Sequence, residues 1–91
     1  MAEIQILTIR IRVYIRPEQV RLALARANRD VSWLAKELST SSGYLGAMMA
    51  GYKQAPPAIR ERLIRVLQRR ARLPNSDTNW DRFFRIQEVC G

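Results

Sequence analysis

Arginine is the residue of this chain best equipped to do chemistry, and that chemistry is anion binding. Of the sixteen basic residues in 91, fourteen are arginine, histidine is absent, and the net charge is +8. A guanidinium stays charged, and its planar fork of donors matches the oxygens of a phosphate or carboxylate. A polyanion, most commonly nucleic acid, is therefore the expected partner; the plainer alternative is that the charge only keeps a small protein soluble. Its distribution is uneven. Residues 1–29 carry six Arg against two Glu (net +4), and residues 58–91 carry eight Arg against four acids (net +4). Between them Asp30, Lys36, Glu37 and Lys53 cancel over residues 30–57.

Other chemistries lack their parts. Without histidine the commonest general base and metal ligand is missing. The one cysteine, Cys90, has no ligand cluster around it, and the Gly43/Gly46 pair fits no phosphate-loop or dinucleotide fingerprint. The chain is expected not to be an enzyme and to use neither metal nor cofactor. A lone thiol and the lack of a signal-peptide apolar block point to a reducing cytoplasm. No apolar stretch approaches the roughly 20 residues that a membrane span needs.

The neutral middle is the best-patterned part. Val31, Leu34, Ala35 and Leu38 make one apolar helical face, with Asp30 as its cap. Ser39-Thr40-Ser41-Ser42-Gly43 breaks it with small, mostly hydroxylated residues suited to a turn and an N-cap. Leu45, Met48 and Met49 follow, and Gly51 stops the second helix. Two short helices joined by such a turn read as a helix-turn-helix.

These residues carry a resemblance. Leu34-Ala35, Leu38, Ser41, Tyr44-Leu45 and Gly51 sit at the spacing of the Cro/C1-type (XRE-like) helix-turn-helix family, so the stretch resembles phage repressor DNA-binding domains. The register continues ungapped through Lys53, Pro57, Leu63 and Leu67, about half the chain. The resemblance implies that Leu34, Ala35, Leu38, Leu45 and Met48 are core and that Ser41 caps a recognition helix. It places Ser42, Gly43, Gly46 and Ala47 towards base edges in a major groove. Val31 and Ser32, opening the preceding helix, would meet a phosphate, as would Tyr52, Lys53 and Gln54. The expected DNA-binding set is Ser32, Ser41, Ser42, Gly43, Gly46, Ala47, Tyr52, Lys53 and Gln54.

The chain departs from the family at the groove-facing positions, which usually include long polar side chains. Ser, Gly, Gly and Ala discriminate weakly between bases, and each glycine costs a helix about 1 kcal/mol relative to alanine. Their benefit would be close backbone approach to DNA or to another helix. Trp33 and Met49 fall off the main inner faces, and are expected to pack under a strand or an aromatic segment from outside the motif.

That strand is expected at the N-terminus. Leu7, Ile9, Ile11, Val13 and Ile15 alternate with Thr8, Arg10, Arg12, Tyr14 and Arg16. Leaving the five apolar side chains in water would forfeit on the order of 10 kcal/mol, so the face must be covered. The segment near Phe83 to Val89 offers one partner, and the same strand from a second copy offers another. The second makes Leu7, Ile9, Ile11, Val13 and Ile15 the expected dimerisation residues.

Pro17 opens a helix with Val20, Ala23, Leu24 and Ala27 inside, widened by Leu22 and Ala25. Another starts near Pro57, with Ile59, Leu63, Val66, Leu67 and Ile64 inside and arginines outside; in the family it packs behind the recognition unit. After a polar linker, Trp80, Phe83 and Phe84 fit a helical turn capped by Asp77 or Thr78 and ending near Arg85, then an extended tail. The expected fold is mainly α: four to five helices of phage-repressor-like helix-turn-helix type with an added N-terminal strand. Its parts are the strand (1–16), the helix-turn-helix domain (17–72), and a linker with an aromatic segment packing on it (73–91).

The function expected is a sequence-specific or shape-reading regulator of transcription, repressor-like, binding double-stranded DNA as a homodimer. The alternative is an adaptor or antitoxin-like component that keeps the fold and binds a protein partner. A salt-dependent duplex titration separates the two.

Overall fold

The computed structural model describes residues 9–74 and 78–90. In order they form β1 (Ile9–Ile15), α1 (Pro17–Arg26), α2 (Val31–Glu37), α3 (Ser42–Met49), α4 (Pro57–Arg69), α5 (Trp80–Phe83) and β2 (Phe84–Cys90). Local chemistry sets most boundaries. Pro17 and Pro57 stand in the first turns of α1 and α4, where a missing N–H costs nothing. Asp30 Oδ1 accepts from the Trp33 N–H at 2.8 Å, and Ser41 Oγ from the Tyr44 N–H at 3.0 Å. These bonds satisfy donors that the openings of α2 and α3 would otherwise leave unpaired. Gly51, at φ 90°, follows α3 in a left-handed conformation that a side chain would strain.

One core joins helices and strands. Val20 of α1, Leu34 and Leu38 around α2, Leu45 and Met48 of α3, and Leu63 and Leu67 of α4 are fully buried. Val13, Ile15, Phe83 and Phe84 join the same cluster. Burying each such side chain contributes roughly 1.5–3 kcal/mol, so the terminal segments are part of what holds the helices together. α2 packs on α3, α3 on β1, and α1 on α5.

The strand has its partner within the chain. β1 and β2 form a two-stranded antiparallel sheet with Ile15 opposite Phe84, Val13 opposite Ile86 and Ile11 opposite Glu88. The segment after Phe83 is thus a strand and not merely an extended tail, and the helical turn ends at Phe83, before Arg85. Its cap is Asn79, whose side chain accepts from the Asp81 N–H at 3.0 Å; Thr78 is buried and receives a bond from Gln68 instead, and Asp77 lies outside the described residues. Residues 9–15 and 84–90 therefore share one sheet.

Three further expectations change. The face of β1 is only partly covered: Val13 and Ile15 are buried, while Ile11 is 63% exposed. Leu7 and the side chain of Ile9 lie outside the described residues. Leu22 and Ala25 of α1 are exposed, so that helix is covered on one side. Met49 belongs to the core, in the helix that packs on β1, but Trp33 is half-buried in an arginine-lined groove between α2 and the end of α4.

Candidate nucleic-acid interface

The α2–α3 unit has an anchored back and an open front. Leu45, Met48 and Met49 hold α3 to the body, and Ser39 at φ 57° lets the chain reverse between the helices. On the opposite side Ser42, Gly43 and Gly46 are exposed and Ala47 is half-buried, so residues at helical spacing share one outward face. Among the described residues, a Cβ built on Gly43 or Gly46 would meet nothing within 4 Å beyond its own helix backbone and chain neighbours. Packing among the described residues therefore gives no reason for glycine at either position. No charged side chain belongs to α3, so its face is smooth and neutral.

The loop behind α3 continues this surface. Tyr52 is 85% exposed, and Lys53 and Gln54 are exposed beside it. The Tyr52 N–H donates to Ala47 O at 2.9 Å, which ties the loop to the end of α3. Ala55 N–H donates to Val13 O at 2.9 Å, and Gln54 Oε1 accepts from the Val13 N–H at 3.4 Å. In an antiparallel pair, residues alternate between bonding the partner strand and pointing away from it. Val13 points away from β2, and the loop fills that edge like a short third strand. Gln54 thus serves first as a strut, and Tyr52 and Lys53 remain as the outward donors.

The start of α2 is less hospitable to phosphate than the resemblance implies. Ser32 is exposed, but the Asp30 carboxylate occupies the helix terminus and already holds the Trp33 N–H. A negative group there opposes a second one. Ser32 keeps a hydroxyl to offer, while the terminus as an anion site is weakened.

Several arginines are committed to structure. Arg16 Nε lies 3.1 Å from Phe84 O, Arg60 Nε 2.7 Å from Ala55 O, and Arg62 Nη1 3.1 Å from Leu38 O, each donating to a carbonyl. Arg65 pairs with Glu61 along α4, and the Arg85 guanidinium lies 4.6 Å from the Tyr14 ring centre across the sheet. Arg29, Arg69, Arg70 and Arg72 instead gather around Trp33, a cluster that sequence reasoning did not assemble. The signal available was the arginine-only run Arg69-Arg70 with Arg72 just past the end of α4.

Of the expected dimerisation residues, Val13 and Ile15 serve the chain's own core. Ile11 and Ile86, the latter 54% exposed, lie on the same face of the sheet, where it extends past the helices. Among the described residues no helix is long and apolar enough to cross a membrane. Comparison of the chain with protein-family models, curated proteins and solved structures yields no match.

Proposed function

We propose that this chain is a non-catalytic, repressor-like regulator that binds double-stranded DNA as a homodimer, with α3 as the helix that enters the major groove. The observation that carries the reading is the open face of α3. Two glycines stand where packing among the described residues asks for none, each at a cost to the helix of about 1 kcal/mol, and their smallness suits close approach by a partner. A duplex groove fits, because a bare helix face lets the backbone come close to base edges and phosphates. Ser42 and Ala47 discriminate weakly, so affinity rests on phosphate contacts and DNA shape. Tyr52, Lys53 and Ser32 flank the face as phosphate donors, and the flanking arginines supply the long-range field. Two copies joined through the Ile11/Ile86 face would present two such helices to half-sites about one helical turn apart.

A second reading is favoured by one specific feature, the lack of any charge on α3 together with the Asp30 carboxylate at the start of α2. It makes the chain an adaptor or antitoxin-like component whose smooth helix face receives a protein. Titration of a mixed-sequence duplex at two salt concentrations tests the choice. A regulator binds at low salt with a log–log salt slope of several units; absence of duplex binding at low salt would leave the adaptor.

A further inference from the structure

Two left-handed residues, Asn28 at φ 56° and Arg72 at φ 57°, redirect the chain where it leaves α1 and α4. Asparagine takes this conformation readily at a helix end, whereas arginine does not, so the turn at Arg72 is held by what surrounds it. Both turns border one concavity of about 380 Å³, lined chiefly by Arg29, Trp33, Glu37, Arg69, Arg70 and Arg72. It holds four guanidinium groups and one carboxylate. Glu37 Oε1 is 3.1 Å from Arg70 Nε, and the Arg29 guanidinium carbon is 4.9 Å from the centre of the Trp33 ring. Among the described residues Arg69 and Arg72 have no ion-pair partner. A net charge of +3 converging on one hollow is self-repelling when empty, and an anion relieves it.

Both phosphate and carboxylate suit a guanidinium fork, and the aromatic ring separates them. Arg29 lies over the Trp33 ring, so the plane of this guanidinium, backed by the indole, is the surface on which a base or sugar can lie while the neighbouring arginines take the phosphates on either side. An acidic peptide has no use for that ring. We propose that this groove binds the phosphodiester backbone of a nucleic-acid strand, with Arg69 and Arg72 on the phosphates and Arg29 and Trp33 framing the adjoining nucleoside. The strand is either duplex flanking the site of α3 or an unpaired strand. The groove does not depend on α3 entering a major groove, and the two ideas fail separately.

The test is titration of the full chain with labelled duplex and with labelled single strand of equal length, across a salt series. The parent, Arg69→Gln/Arg72→Gln, Arg69→Glu/Arg72→Glu and Gly46→Glu are compared. Both arginines are exposed, and circular dichroism confirms that each variant folds; the glutamine pair serves if charge reversal disturbs the end of α4. The expected result is at least about tenfold weaker binding of one or both nucleic acids by the arginine variants, with the salt slope smaller by about two. Loss on duplex alone assigns the groove to flanking duplex, and loss on single strand alone assigns it to an unpaired strand. If the arginine variants matter and Gly46→Glu does not, the groove stands and the α3 reading falls. Unchanged affinity and slope on both nucleic acids would overturn the groove, whatever Gly46→Glu does. So would a parent chain that ignores both and binds polyglutamate, which would assign the groove to an acidic protein.

Discussion

The backbone N–H of Ala55 donates to the carbonyl of Val13 at 2.9 Å, joining the loop behind α3 to the terminal sheet. The strand therefore does more than cover apolar surface. It fixes where Tyr52 and Lys53 stand relative to α3, through a bond between residues far apart in sequence. β1 is held on its other edge by β2, so the position of that loop rests on both ends of the chain at once.

This coupling makes the sheet a stability element with a sharp boundary. Phe84 is buried opposite Ile15, whereas Ile86 is mostly exposed opposite Val13. Phe84→Ala should destabilise the chain by about 3–5 kcal/mol, a large share of what a small domain has. Ile86→Ala should cost less than about 1 kcal/mol in the monomer. Urea denaturation of the two variants measures the contrast, and equal losses would mean that the buried edge of the ribbon is misplaced.

Caps offer a second, more local check. Ser41→Ala removes the acceptor of the Tyr44 N–H and should cost about 1 kcal/mol. For a domain of this size that is a fall in melting temperature of about 4–8 °C. Asp30→Ser keeps a side-chain acceptor at the start of α2 while removing its negative charge. Its melting temperature should change little and its affinity for duplex should rise, because a phosphate no longer faces a carboxylate there. Weaker duplex binding by a folded Asp30→Ser chain would contradict a phosphate near Ser32.

Association is tested at Ile11 and Ile86. The full chain should sediment as a dimer at micromolar concentration, and Ile11→Lys or Ile86→Lys should shift it to monomer without unfolding it, since both side chains are exposed. A parent chain that stays monomeric well above that concentration would show that the exposed apolar face needs no second copy.

Asp30, Ser41 and Gly51 show how much was legible in the sequence. Their side chains, or in Gly51 the lack of one, act on backbone groups a few residues away, so the limits of α2 and α3 could be read from neighbours alone. The core of α4 was equally plain, because Ile59, Leu63, Val66 and Leu67 repeat at helical spacing. β2 was not, since Trp80, Phe83 and Phe84 fit a helix while Phe84 and Ile86 fit a strand, and only pairing with β1 decides. The tether of Gln54 and Ala55 to Val13 is likewise long-range. The surroundings of Trp33 are long-range too: they come from α4 and from the turns at Asn28 and Arg72, and although the Asn28-Arg29 break is legible locally, the left-handed conformation of Arg72 is not.

The glycines of α3 separate folding from binding. Among the described residues no atom beyond the helix's own backbone and chain neighbours lies within 4 Å of a Cβ added at Gly46, so Gly46→Ala should stabilise the fold by up to about 1 kcal/mol. If DNA approaches that backbone closely, the same methyl should weaken duplex binding. A variant both more stable and tighter-binding would contradict close approach at Gly46.

Duplex binding by Gly46→Glu and Ala47→Glu tests most directly whether α3 enters the groove. Glutamate is a better helix former than glycine, and neither position is in the core, so both variants should keep the parent's circular dichroism. A carboxylate facing a phosphate-lined groove should repel it. The account predicts folded variants whose affinity for duplex at low salt falls by about a hundredfold or more, roughly 3 kcal/mol. Folded variants that bind duplex as tightly as the parent would contradict it.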